Sequence, residues 1–184
     1  MKIFNLTENS RLYTSNVFLI LGAWNTIDDV NTLIDVGSDD SIVSRIEGIN
    51  TGLGKKKIDQ VILTHSHSDH AATLPAIMKA FNPRVYAYNS HLRGVDRFLK
   101  DGDLLRIGEM QFEVIHTTIH SSDSICLFCK ENGILFVGDT PIPNDFQLQN
   151  SINSYPERLL ENWEFVKTIY FGHGEVKYKV SQTV

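Results

Sequence analysis

Short apolar runs punctuated by Gly, Pro, Asn and Asp recur along the chain, and their length and β-branched content read as strands. They fall at Ile3–Leu6, Val17–Leu21, Asn31–Val36, Ile58–Leu63, Arg84–Tyr88, Leu104–Ile107, Phe112–His116, Ser124–Cys129, Ile134–Val137 and Thr168–Phe171. Between and after them, apolar positions at helical spacing predict helices over Ser41–Ile49, His70–Phe81 and Ser154–Phe165. The second is closed by Asn82-Pro83. The third has a start signal: Ser154 as N-cap, Pro156 just inside it and Glu157 three residues on. Strand-rich halves separated and followed by helices predict a four-layer αββα sandwich, two mixed β-sheets face to face with helices outside.

One strand ends in chemistry. After the apolar run Val61-Ile62-Leu63 come Thr64-His65-Ser66-His67-Ser68-Asp69-His70. Imidazole nitrogen and carboxylate oxygen are ligands that zinc and non-haem iron accept well. In extended backbone, residues i and i+2 project the same way, so His65 and His67 can hold one ion. Asp69 and His70 then turn with the chain toward a neighbouring ion. A lone His is most often a surface residue. Four ligand-type side chains so close together, in a chain with only seven histidines, point instead to a metal.

Composition narrows the classes. With 184 residues the chain is expected to be a single domain, residues 1–184, burying roughly 70% of its unfolded surface. A net charge of −5 offers no electrostatic footprint for nucleic acid, and no apolar run approaches a membrane span. Gly52-Leu53-Gly54-Lys55 lacks the spacing of a phosphate loop, and Lys55-Lys56-Lys57 reads as a solvated loop. Cys126 and Cys129 sit at an odd offset in one strand-like run, which sends them to opposite faces. Buried, unpaired thiols and no signal-peptide pattern at Met1–Asn5 give a cytoplasmic expectation.

Thr64 to His70, as Thr-His-x-His-x-Asp-His after a strand, resembles the signature of the metallo-β-lactamase fold superfamily. Four further segments resemble it in order: the opening strand pair with Asn31 to Gly37, His120 in His116-Thr117-Thr118-Ile119-His120, Gly138-Asp139 after Leu135 to Val137, and Gly172-His173-Gly174 after a last strand. The resemblance implies that His65, His67 and His120 bind one metal, that Asp69, His70 and His173 bind a second, and that Asp139 bridges them. Two zinc ions are expected, with iron or manganese as alternatives. It further implies that Asp35 and Thr64 support the metal loops by hydrogen bonding, and that Asp69 orients the attacking water or takes its proton. The implied activity is hydrolysis of an ester, thioester, lactone or related bond in a small-molecule substrate. A mononuclear iron oxygenase of the persulfide dioxygenase kind is the alternative, followed by a non-catalytic metal-stabilised module.

Departures from the pattern mark where the fold can differ. Thr117-Thr118-Ile119 replaces the usual Thr-Pro-Gly before the third His, and Ile resists backbone geometries that Gly allows. Ala71-Ala72-Thr73 replaces glycines after the His cluster, which favours an earlier helix start. The segment from Thr140 to Phe146 lacks the Gly-Arg pattern and the basic and aromatic residues of glutathione-using members, making glutathione thioesters a weaker expectation. His116 is read as a supporting or structural residue and His91 as a surface one. Trp24, on the early hairpin loop, is a candidate wall for a substrate pocket.

Overall fold

The computed structural model describes residues 1–24, 26–88, 92–142 and 155–179. All ten expected strands form, and two two-residue strands join them. Strands β1 (Lys2–Asn5), β2 (Phe18–Leu21), β3 (Thr32–Ile34), β4 (Gln60–Ile62), β5 (Arg84–Ala87) and β6 (Arg97–Phe98) make the first sheet in that order. Strands β7 (Leu104–Ile107), β8 (Met110–His116), β9 (Ile125–Cys129), β10 (Ile134–Gly138), β11 (Thr168–Phe171) and β12 (Lys177–Tyr178) make the second. Both are mixed: β3, β4, β5 and β6 run parallel in the first, and β10 and β11 run parallel in the second. The short β6 and β12 had no periodicity to announce them, since two residues cannot show an alternation.

Alternation along each strand sorts side chains into three apolar layers. In β2, Leu19 and Leu21 face helices α1 (Ile42–Gly48) and α3 (Leu74–Phe81), packing with Ile42, Ile46, Leu74 and Ile77. Phe18 and Ile20 face the other sheet, packing with Phe112, Val114, Leu127 and Phe136. A third layer joins Ile115, Phe128, Leu135 and Val137 to Leu159 of α4 (Glu157–Asn162). Helix, sheet, sheet and helix therefore stack as expected, and the two central sheets are apolar on both faces because each is covered twice.

Two helices differ from their sequence outline. The expected helix over 70–81 is split into α2 (Ser68–Ala71) and α3, with Thr73 between them. Pro75, at the start of α3, has no N–H to donate back to Ala71 and its ring crowds that carbonyl. Thr73 fills the break by donating its N–H to the Gly37 carbonyl at 3.1 Å and its hydroxyl to that of Val36. As the alanines suggested, α2 starts early, before His70. The third helix runs from Glu157 and tightens into a 3₁₀ turn over Trp163–Phe165; Pro156 occupies its N-cap position without a side-chain cap. The proposed cap Ser154 lies outside the described residues, as does His91. No helix among the described residues is long and apolar enough to cross a membrane.

The lysine run does more than face solvent. Lys55 Nζ donates to the carbonyls of Thr26 and Asp29, and Lys57 Nζ to those of Glu47 and Ile49. Cys126 and Cys129 are free and buried on opposite faces of the second sheet. Burial pushes the Cys126 thiol up to about 12, and that of Cys129 also upward. Both are expected to resist a thiol reagent such as Ellman's at pH 8 in the native protein and to react in guanidinium. Fast native labelling of either would show that this layer opens.

Candidate metal centre

The C-terminal ends of β3 and β4 lie side by side because the two strands are parallel, and each delivers one part of the site. At the end of β3, Asp35 takes a left-handed backbone (φ 56°), uncommon for any residue but Gly, though Asp is among those that adopt it more readily. Its carboxylate is 2% exposed and fully engaged. It accepts the Thr64 N–H at 2.7 Å, the Thr64 hydroxyl at 2.8 Å and the His70 Nδ1–H at 2.8 Å. Since the Thr64 hydroxyl proton goes to Asp35, the contact of His65 Nδ1 with that oxygen (3.2 Å) makes the imidazole the donor. Both histidines thereby present Nε2 inward, which is how a hydrogen bond at one ring nitrogen directs the other.

Those two Nε2 atoms are buried and have no hydrogen-bond partner. His70 Nε2 lies 3.2 Å from Asp139 Oδ1 but out of line for a hydrogen bond. Around them the donors fall into two adjoining groups that could each hold a metal ion. His65, His67 and His120 form one; Asp69, His70, Asp139 and His173 form the other; within each, the ligand atoms lie within 4.8 Å of one another. His120 Nε2 comes 3.1 Å from His67 Nδ1, and His173 Nε2 comes 3.0 Å from Asp69 Oδ2. Asp139 stands between the groups, its Oδ2 3.6 Å from His173 Nε2 and 3.7 Å from His120 Nε2. All seven residues singled out in the sequence thus converge. Two of them, Asp69 and His70, sit on α2 and not on a strand end or loop, because the helix starts before them.

Neither sheet suffices alone. His65, His67, Asp69 and His70 come from the first; His120, Asp139 and His173 follow β8, β10 and β11 of the second. Glycines permit the close approach. A Cβ on Gly138 (φ 53°) would stand 2.6 Å from Thr64 Oγ1, and one on Gly172 would land on Asp139 Oδ1 and His70 Cε1. Ile119 does not displace His120: it packs against the outer layer beside α4.

The early hairpin loop is a correction. Because β2 is antiparallel to β3 and β3 parallel to β4, β2 ends and β3 begins at the end of the sheet opposite His65, so exposed Trp24, three residues past β2, does not wall the site. An aromatic that does meet a site residue is Tyr13, 80% exposed and stacked on His173 with centroids 5.4 Å apart and planes 17° apart. Asn16 was also missed: its amide donates to the carbonyls of Phe171 (2.9 Å) and Gly174 (2.8 Å), bracketing His173. Both sit in irregular chain, where no periodicity aims a side chain. A cleft of about 260 Å³ opens beside the donors, lined by His120, Asp139, Thr140, Pro141, Phe171 and His173. A larger groove of about 690 Å³, along β1 and β12, reaches only Asn16 and Gly174 of this region.

A model of the metallo-beta-lactamase superfamily matches residues 11–173. The chain belongs to this superfamily. It is 33% identical over 88 residues to a hydroxyacylglutathione hydrolase of Francisella tularensis subsp. novicida, covering 47% of this chain and 35% of that protein. To a probable hydroxyacylglutathione hydrolase of Schizosaccharomyces pombe it is 39% identical over 93 residues, covering 48% of this chain and 36% of that one. These alignments span about a third of the relatives' length. The fold is shared with the crystal structure of ETHE1 from Myxococcus xanthus, at a TM-score of 0.68 and 19% identity over 97% of this chain and 80% of that one.

Electrostatics divides the site. Burial, with His70 beside it, pushes His65 down to about 4. Burial also opposes charge on His70, but the carboxylates of Asp35 and Asp139 outweigh it and raise His70 to about 10. Against burial, His70 holds Asp139 at about 2. A depressed His65 contributes stability above its unfolded value near 6.5 that is lost as pH falls through about 4. The raised His70 contributes below 6.5 and loses its contribution as pH rises through about 10. Metal-free protein should therefore lose stability from pH 6.5 to 4, the His65 part being on the order of 2–3 kcal/mol. His65→Gln should flatten that limb in chelator-treated protein; an unchanged slope would refute the assignment.

Proposed function

We propose that this chain is a hydrolase that holds two divalent cations, zinc first among them, and directs water at an ester, thioester, lactone or related bond of a small molecule. The observation that carries this reading is the pair of buried Nε2 atoms on His65 and His70 that make no hydrogen bond, set in two contiguous ligand groups with Asp139 between them and 3.2 Å from His70 Nε2. His65, His67 and His120 would hold the first cation and Asp69, His70 and His173 the second, with Asp139 shared. Three imidazoles, and an imidazole–carboxylate set beside them, suit zinc in donor type. Bound cations would supply Lewis acidity, lowering the pKa of water to about 7 and polarising a carbonyl.

The chain supplies the rest. Asp35 and Thr64 fix the tautomers of His70 and His65, so two nitrogens are aimed before anything binds. Asp69 would also orient the attacking water or take its proton. Phe171 and Pro141 add apolar lining to the cleft. The relatives are named for hydroxyacylglutathione hydrolysis, which puts a hydroxyacyl thioester at the head of any substrate panel. The net charge of −5 argues against nucleic acid, and the unpaired thiols suit a cytoplasmic setting.

Protein purified without added metal is expected to carry two equivalents of zinc by elemental analysis and to turn over a thioester or lactone. A reproducible single equivalent of iron would replace the hydrolase with the mononuclear oxygenase. Asp69→Asn is expected to lower kcat by at least ~10²-fold, as loss of a positioned proton acceptor does. Metal content must be measured on the same sample: a fully loaded variant with unchanged rate would remove Asp69 from the chemistry.

A further inference from the structure

The loop that carries His120, residues 117–124, leaves β8 and enters β9 where His116 pairs with Ile125. It has neither the Pro nor the Gly expected at this point, so its shape must be held by other means. Its base is closed by Thr117 N–H to the Ser124 carbonyl at 2.9 Å. Its far half is knotted by Ser124 N–H to the Ser121 carbonyl at 3.2 Å, and by Ser121 Oγ against Asp123 Oδ1 (2.8 Å) and Ser124 Oγ (2.6 Å).

The tip is gripped from outside the loop. His116 Nε2–H donates to the carbonyl of Ser122, two residues past His120, at 2.9 Å. The same ring lies flat on Tyr88, with centroids 3.8 Å apart and planes 4° apart. Tyr88 directly follows β5 of the first sheet, so this stack spans the two sheets at the level of the site. The backbone of His116 is pinned as well: its N–H donates to Asp101 Oδ1 at 2.9 Å, and Asp101 Oδ2 accepts from Arg158 Nε of α4 at 3.2 Å.

We propose that His116 is a positioning residue that holds the His120 loop in the geometry of the first ligand group through its Nε2–H to Ser122, with Tyr88 fixing the ring. Its effect on cation affinity rests on the metal reading above; its effect on the loop does not. A packing role alone would need only a flat ring on Tyr88, whereas positioning needs the donor. His116→Phe keeps a ring and removes the donor; His116→Gln gives up the stack but can place an amide N–H near the same point.

Peptide-resolved amide exchange on metal-free full-length protein is the first measurement. In His116→Phe, the amides of residues 121–124 should exchange at least tenfold faster, with β8 and β9 unchanged. Zinc titration against a chelator is the second. The step assigned to the first group, defined as the one that His67→Ala removes, should weaken by about 10–100-fold, the usual effect of losing a support behind a ligand. The other step should hold, and His116→Gln should recover most of the loss. A near-native melting temperature and near-UV spectrum would establish that the variants fold. Unchanged exchange over 121–124, equal weakening of both steps, or a Gln variant no better than Phe would each overturn the proposal. If wild-type protein binds no cation, the metal reading falls, and the exchange measurement still decides what His116 does.

Discussion

A single buried carboxylate organises this end of the molecule. Asp35 is almost shut off from water, and an unpaired charge there would cost several kcal/mol. It is matched by three donors from two elements: the backbone and hydroxyl of Thr64 after β4, and the imidazole of His70 on α2. Its left-handed backbone is the sort of strain that persists only where the surroundings over-determine it. Because both donor residues also orient metal-type nitrogens, one interaction sets the end of the first sheet and the direction of both ligand groups. The backbone of α2 is tied to the same strand, with Val36 and Gly37 N–H groups sharing the His70 carbonyl at 2.8 and 3.0 Å.

The second constraint is that the sheets must dock before the groups are complete. The inner apolar layer, Phe18, Ile20, Ile34 and Ile62 against Phe112, Val114, Leu127 and Phe136, does that without direction. Registration comes from polar links at the site end: Ile125 N–H to the Thr64 carbonyl at 2.9 Å and Asn16 N–H to that of Gly172 at 2.6 Å. Any cation gripped by residues of both sheets would add its binding free energy to the stability of their docking.

At the rim, the histidine furthest along the chain is held by irregular segments. Asn16 brackets the Phe171–Gly174 turn, and Tyr13 lies against the His173 ring. Tyr13 is itself tethered, its carbonyl accepting the Ser38 hydroxyl at 2.7 Å, and the neighbouring Thr14 hydroxyl accepts the Ser38 N–H at 2.9 Å. An exposed aromatic fixed in this way gives the polar site an apolar lip.

Much was legible in the chain alone. Strands and the αββα order follow from run length and spacing, because apolar faces must be buried whatever covers them. Four ligand-type residues, His65, His67, Asp69 and His70, were legible because imidazoles and carboxylates at such spacing have few other uses; His120, Asp139 and His173 were reached only through the resemblance of their segments to a family. Tertiary structure decided the rest. Pro75 broke an apparently continuous helix, since a missing N–H overrides periodicity. Strand direction removed Trp24 from the site, and a hairpin's sense is not written in its apolar pattern. Tyr13 and Asn16 joined the site through loop geometry, and His116 met the Ser122 carbonyl and the Tyr88 ring only because β8 ends beside both. Local periodicity reports which faces are apolar; which side chains meet at a point depends on how two sheets dock, a long-range property that no window of sequence contains.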